Sequence, residues 1–483
     1  MRRLFAFLFS FFLLSGMSVS VLADTQARNI TDSTAIEENE GIDCYLLTDG
    51  VETENIYTVA GLSLQNDAGI GSIYLVLDSP CTLTVQDVQT GETYTQRSEG
   101  FLHVFSDLVY QFGYAPKDIR LLFPEGAWIA ELQVFSEGEV PEDVQQWQCP
   151  ATGSADLVLF STHGDDEQLY FAGLLPYYAA ERGLDVQVVY MTGHDNLIGR
   201  VRQHEMLNGL WAVGVRNYPV FGTFPDFKLL DREETYIEYE NLGFSREDLL
   251  GFVVENIRRF RPLVAVGHDL DGEYGHGMHM VYSDLLTKAV EIAADPEAFP
   301  ESARYYGVWE VPKTYLHLYP ENEVVMDWDQ PLECFDGMTA FEVTQKAGFP
   351  CHISQQYDLY VNWLYGDGIT LASEIRQWSP CYYGLYRSLV GEDVQKNDLM
   401  ENLTAYGEIS RKADAQDQKL RDAVHMAQQQ QAVEPQLLRQ SAQTVMAPDE
   451  EKRVFPAEAA LIALMSLAGI GAVFVKIKFF EKK

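Results

Sequence analysis

Basic residues are scarce in this chain. Lys and Arg number 34 against 72 Asp and Glu, a formal net charge of −38 over 483 residues. Such a balance leaves no basic face for a phosphate backbone, which excludes nucleic acid as the partner. Cysteine is sparse too. Cys44, Cys81, Cys149, Cys334, Cys351 and Cys381 fit no zinc-finger spacing, and disulfides and free thiols are equal readings of them. There is no internal repeat, and long apolar runs are confined to the two ends. What is present is ordinary globular material: 47% hydrophobic and 12% aromatic residues exclude wholesale disorder. At about 100–200 residues per domain, the length predicts two to four units.

The charge is unevenly placed. The first 23 residues hold two Arg and no acid, and the last eight hold four Lys and one Glu. The body between them carries 28 basic and 71 acidic residues, a net of −43. Arg2 and Arg3, the apolar run 4–14 and Val21-Leu22-Ala23 have the three-part form of an export signal over 1–23. Residues 459–475 carry no charge. That run is slightly short of the roughly 20 residues a span needs, and Lys476 and Lys478 can snorkel. A transmembrane helix is expected over 456–476, and the basic tail 477–483 favours a cytoplasmic C-terminus. The expectation is a cell-membrane protein with an outward-facing ectodomain.

Within the body, residues 24–40 read as an acidic linker. Over 41–150, short β-rich runs (72–77, 82–88, 101–105, 128–135) alternate with turn residues, which predicts a β-sandwich. The run 129–135 weakly resembles the closing strand of discoidin-like, galactose-binding sandwiches. From 155 to 320 the pattern alternates strand and helix. Strands are expected at 156–161, 185–191, 218–221, 263–267 and 314–319. Helices are expected at 167–181, 200–213, 245–259 and 280–294. This alternation predicts an α/β domain with a mostly parallel, Rossmann-like sheet, and places functional groups past the carboxyl ends of strands. Residues 320–400 are aromatic without a period, and complete the domain or wall a cleft. Residues 401–455 form a Gln-rich stalk.

Six of the ten histidines fall within 163–279. Thr162-His163-Gly164-Asp165-Asp166-Glu167 follows the first strand. A His and an Asp three residues apart at a strand-to-helix turn can face one point, and imidazole nitrogen with carboxylate oxygen suits zinc. Asp165 is left over as a general base beside a metal-held water. His268-Asp269-Leu270-Asp271-Gly272-Glu273-Tyr274-Gly275-His276-Gly277-Met278-His279 follows the fourth strand. Its last two His can supply one ligand and one group either supporting a ligand from behind or beside the developing oxyanion. Three protein ligands with an open fourth position make a catalytic site. His194 follows the second strand and is a cleft candidate. His352 reads as a buried structural residue. His103, His317 and His425 give no site signal.

These two motifs resemble the PIG-L/LmbE-type zinc-dependent N-acetylglucosaminyl deacetylases over about 155–295, a likeness extended to 151–400 as the domain. The resemblance implies a Rossmann-like fold and removal of acetyl from N-acetylglucosamine-type sugars. It implies zinc ligands at His163, Asp166 and His279, a general base at Asp165, and oxyanion support from His276, if cationic. Arg202, with Glu205, loosely matches the family's substrate-side Arg-x-x-Glu, and Asp226 an acidic residue after the third strand. With His194, these are the expected substrate-binding residues. The family usually has Pro at Gly164 and Pro-Asp at Gly277-Met278. The second change removes an acidic partner beside His279.

The expected function is therefore a membrane-anchored, extracytoplasmic, Zn2+-dependent N-deacetylase acting on an acetylated amino-sugar glycan or glycoconjugate. The alternative is a cell-surface glycan-binding protein with a degraded catalytic domain, told apart by stoichiometric zinc. A zinc amidase or phosphoesterase with a non-glycan substrate is a further reading. Asp269-Leu270-Asp271 also spells the metal motif of some glycosyltransferases, but an exported domain lacks access to a nucleotide-sugar donor.

Overall fold

The computed structural model describes residues 26–410, apart from 99, 151–152, 195–198 and 357–367. The expected export signal, most of the stalk, the C-terminal span and the basic tail lie outside the described residues. Among the described residues, no helix is long and apolar enough to cross a membrane. The described part belongs to one compact unit.

The N-terminal part contains β1 (Ala35–Glu38), β2 (Ile56–Thr58), β3 (Leu62–Gln65), β4 (Ser72–Leu77), β5 (Thr82–Asp87), β6 (Thr93–Arg97), β7 (His103–Asp107), the short helix α1 (Leu108–Phe112), β8 (Asp118–Leu122) and β9 (Ala127–Phe135). These strands form two antiparallel sheets, ordered β1-β3-β8-β5-β6 and β2-β9-β4-β7. Alternation decides what each sheet buries. Every second residue of β5 points inward, and Leu83 and Val85 join Leu64, Leu75, Ile129 and Leu132 in one core fed by both sheets. Residues 24–40 are not simply a linker, because 35–38 pair with β3 as an edge strand. β4 is buried on both faces. Its Tyr74 and Val76 lie in a second cluster, opposite the inner core.

The α/β part contains β10 (Leu157–Ser161), α2 (Asp166–Leu169), β11 (Val186–Tyr190), α3 (Gly199–Ala212), β12 (Val220–Phe221), α4 (Arg232–Asn241), α5 (Arg246–Phe260), β13 (Val264–Gly267), α6 (Gly277–Ile292), β14 (Lys313–His317), β15 (Glu323–Val325) and β16 (Tyr382–Ser388). One seven-stranded sheet runs β12-β11-β10-β13-β14-β16-β15. The first five strands pair in parallel, β16 adds antiparallel to β14, and β15 adds antiparallel to β16. Region 320–400 thus completes the sheet. Both faces are covered, as a parallel sheet requires. Leu157 and Leu159 of β10 point into one core, Val158 and Phe160 into the other.

The expected helix 167–181 is broken. Only α2 and a π-turn at Pro176–Glu181 form. Gly173 lies between them at φ +87°, and a Cβ there would come within 2.5 Å of the Trp328 ring. The chain after β10 leaves toward β11 and β12, and returns to the other side for β13. The crevice therefore opens past the carboxyl ends of β10 and β13.

Candidate active site

Both motif loops leave the sheet at that crevice. The first runs straight from β10 into α2. The second is tightly coiled before α6, with Gly272, Tyr274 and Gly275 at φ +67°, +48° and +76°. A non-glycine residue in this region is strained, and such strain is held only where the surroundings fix it. It brings His276 and His279 back over His163 and Asp166.

Three donor atoms meet there. His163 Nδ1 lies 3.1 Å from Asp166 Oδ2 and 3.1 Å from His279 Nε2, and the last two are 3.3 Å apart. With metal bonds of about 2.05 Å, tetrahedral corners lie about 3.3 Å apart, so these edges fit a small tetrahedral cation such as zinc. All three side chains are buried. His268 is also close, 3.6 Å from Asp166 Oδ2, but both its nitrogens are engaged. Its Nε2 accepts from Thr162 N–H at 3.0 Å, so its Nδ1 donates to Glu273 Oε2 at 2.9 Å. Burial alone would lower His163, but the Asp226 and Asp166 carboxylates hold it up at about 10. Burial alone would raise Asp166, but His279 and His163 hold it well below its usual range.

Glu273 organises this cluster from behind. It is wholly buried. Its Oε2 also accepts from His279 Nδ1 at 2.6 Å, while Oε1 accepts from His317 Nδ1 at 2.6 Å and Asp269 N–H at 3.2 Å. The proton on His279 Nδ1 leaves its Nε2 lone pair aimed at the donor triangle. His317 Nε2 donates to the Ser379 carbonyl at 2.9 Å, tying the cluster to the segment before β16. The sequence reading missed Glu273 as a site residue and gave His317 no role. Position within the second motif was the only available signal for Glu273, and His317 had only its place at a strand end.

Asp165, Arg202, Asp226 and His276 line the cleft with His163, Asp166, Tyr170, Lys228, Tyr274 and Gln355. Burial raises the Asp165 carboxyl, Arg202 opposes this, and Asp166 adds to it, so the net shift is upward. Arg202 holds this side together. Its Nη2 donates to Gly164 O at 3.2 Å and approaches Asp165 Oδ1 at 3.5 Å, and its Nη1 lies 3.6 Å from Asp226 Oδ2. Asp226 Oδ1 faces His163 Nε2 at 3.4 Å. His194 sits behind, its Nδ1 3.4 Å from Arg202 and its Nε2 3.2 Å from Thr192 Oγ1, and is not among the cleft-lining residues. Burial lowers it to about 3, with Arg202 adding.

His276 departs from the cationic form. Its Nδ1 accepts from Met278 N–H at 3.2 Å and caps α6, so the remaining proton sits on Nε2. Burial lowers it to about 2, with His163 and His279 adding. It is a neutral imidazole with one N–H to offer.

The departures from the family pattern have structural reasons. A Cβ on Gly164 would meet Met206 Sδ at 2.1 Å. A Cβ on Gly277 would meet Thr235 Oγ1 at 2.1 Å, and its N–H donates to Leu229 O at 2.7 Å, which proline could not do. Met278 is buried against Phe227, whose N–H points at its sulfur at 3.3 Å. Glu273 supplies the carboxylate that Met278 does not. Outside the cleft, His352 Nε2 lies 2.8 Å from Glu167 Oε1 as a buried pair. Glu205 turns away and accepts from Ser354 N–H and Oγ at 2.6 Å each. His204 faces His103 at 2.9 Å. The six thiols are unpaired.

Residues 158–290 match the family described as PIG-L: GlcNAc-PI de-N-acetylase. A 1D-myo-inositol 2-acetamido-2-deoxy-alpha-D-glucopyranoside deacetylase of Catenulispora acidiphila is 28% identical over 220 residues, covering 41% of this chain and 67% of that one. The corresponding Rhodococcus opacus protein is 31% identical over 181 residues, 33% of this chain and 60% of that one. The chain thus spans about two thirds or less of these curated relatives. Among solved structures, the N,N'-diacetylchitobiose deacetylase of Pyrococcus horikoshii aligns over 47% of this chain and 83% of that one, at 17% identity and a TM-score of 0.33.

Proposed function

We propose that this chain, which belongs to the PIG-L/LmbE deacetylase family through residues 158–290, hydrolyses the acetamido C–N bond of an N-acetylated amino sugar. The observation that carries this reading is the donor triangle of His163, Asp166 and His279 with Asp165 beside it in one cleft. In this reading those three residues hold zinc, which when bound polarises the amide carbonyl and acidifies water.

The chain's own groups do the rest. Asp165, its carboxyl raised by burial, takes a proton from the attacking water as the oxygen bonds to the carbonyl carbon. It returns that proton to the nitrogen as the C–N bond breaks, releasing acetate and an amine. His276 donates Nε2–H to the carbonyl oxygen as charge builds there, acting as a neutral donor. Arg202 fixes the Asp165 carboxylate and, with Asp226, orients the sugar; His194 braces Arg202. The N-terminal sheets are read as a sandwich module over 41–150, and the ends at 1–23 and 456–476 as export signal and single membrane anchor.

Acetate release from N-acetylglucosamine and its oligomers, with and without a chelator, tests the function. Asp165→Asn is expected to cut turnover by about 10²–10⁴-fold while keeping one zinc per chain. Full activity in that variant overturns the role of Asp165. Stoichiometric zinc without acetate release from any amino sugar points to a non-glycan amide, and absence of zinc points to the glycan-binding alternative.

A further inference from the structure

The catalytic cleft encloses only about 80 Å³, against the roughly 300–1,000 Å³ usual for small-molecule sites. It can seat a reacting acetamido group, but it leaves most of a sugar to find contacts elsewhere. A cavity of about 430 Å³ lies between the N-terminal sheets and α3. Tyr74, Glu131 and Glu52 line it from one side, and Val201, Asn208 and Ser354 from the other. The two spaces adjoin along two chain segments. Val201 and Ser354 line the cavity, and their immediate neighbours Arg202 and Gln355 line the cleft.

The lining states what the cavity accepts. Among the described residues its lining contains no Lys or Arg, and its one imidazole, His204, faces Asp78 at 3.5 Å and His103 at 2.9 Å. Glu205 is spent on Ser354. Glu52 receives Asn208 Nδ2 on Oε2 at 2.9 Å, and Glu131 receives Val51 N–H on Oε1 at 2.7 Å. Each is thereby held in place by one oxygen at the cavity wall. Tyr74, Val76 and Val201 offer apolar surface for a ring face. Carboxylates with no Lys or Arg among the described lining residues disfavour uronic or phosphorylated sugars and favour an ammonium. The reaction proposed above produces an ammonium on a sugar.

We propose that this cavity holds the already deacetylated neighbour of the sugar being hydrolysed, its ammonium against Glu52 and Glu131. This rests on the deacetylase reading and deepens it: the preferred substrate is a partly deacetylated amino-sugar oligomer. The N-terminal part is then one wall of the substrate site.

The test is calorimetric titration of the full chain, carrying Asp165→Asn, with glucosamine and its β-1,4 disaccharide. The disaccharide is expected to bind more tightly than the monomer. Glu52→Gln with Glu131→Gln is expected to weaken disaccharide binding roughly ten- to hundredfold. Gln133→Trp, which fills the cavity from β9, is expected to do the same by exclusion, with zinc content and melting temperature checked in each variant. Equal affinity for monomer and disaccharide overturns the proposal, as does disaccharide binding unchanged in both variants. Glutamate-dependent binding without acetate release from the parent chain would retain the cavity and refute the catalytic reading. Acetate release indifferent to chain length and to both glutamates would do the reverse.

Discussion

Glu273→Gln is the most informative single change. The side chain is wholly buried and accepts four hydrogen bonds, from His268, His279, His317 and the Asp269 N–H. An amide has nearly the same shape but replaces one acceptor oxygen by a donor. If the NH₂ takes the Oε2 place, it faces His268 and His279, and His279 must accept at Nδ1. Its proton then moves to Nε2, the atom that faces Asp166 and His163. If it takes the Oε1 place, it faces His317 and the Asp269 N–H. Either way the network loses its charge and sets donors against donors in a dry interior. Losing charge-assisted bonds at about 1.5–3 kcal/mol each, partly offset by relaxation, sets a stability cost of about 3–5 kcal/mol. Against a total stability of about 5–15 kcal/mol, that cost leaves the variant folded at 25 °C wherever the parent exceeds about 5 kcal/mol. Zinc affinity is expected to fall about 10–100-fold, or about 1.4–2.7 kcal/mol. Competition with a chromophoric chelator measures it, and thermal melting confirms folding. Glu273→Asp keeps the charge and is expected to restore part of the affinity. A folded Glu273→Gln with wild-type zinc affinity refutes the reasoning. So does an equal loss of affinity in a variant destabilised far from the site.

Asp393 provides that control. Its Oδ1 pairs with Lys313 Nζ at 2.5 Å and its Oδ2 accepts from Tyr315 OH at 2.5 Å, all buried. Asp393→Ala leaves the ammonium with the Glu401 carbonyl but without its paired carboxylate, and is expected to cost about 3–5 kcal/mol by urea unfolding, with zinc affinity of the folded fraction unchanged. Gly164→Pro, which restores the family's usual residue, is expected to destabilise by about 1–3 kcal/mol because Met206 already fills that space, and Met206→Ala should recover part of the loss in the same melts. Burial raises Glu131 to about 7, above its ordinary 4.5. The folded form holds that proton more tightly than the unfolded one, so its contribution is full below pH 4.5 and is lost as pH rises through 7. Melting temperature is expected to fall across that window, and Glu131→Gln to flatten the profile, with the slope reduced by partial solvent screening.

Much was legible from local pattern. Period-2 and strand–helix alternation reflect what each face must bury, and this located β10, β11, β13 and β14 within a residue or two. Edge segments were less legible. β1 reads as a linker because it is short and mostly solvent-facing, and pairs on one side only. β15 and β16 are hidden because β16 pairs with β14, and β15 with β16, only once the sheet has assembled. The helix expected over 167–181 fails at Gly173, where Trp328 packs from more than 150 residues away, a contact no local propensity contains.

The sequence by itself determined the sheet order's raw material and the chemical identity of the donors. A His and an Asp placed three apart after a buried strand face one point by backbone geometry alone. Tertiary structure decided which donors are free and which are spent. His268 and His279 are the same residue type eleven positions apart. One is consumed by Thr162 and Glu273, and the other keeps its Nε2 for the triangle. It also made His276 a neutral cap, recruited Glu273 and His317, and set a cavity between the N-terminal sheets and α3 beside the cleft. Those outcomes depend on where protons and lone pairs point after distant segments meet, and that direction is fixed only in the packed fold.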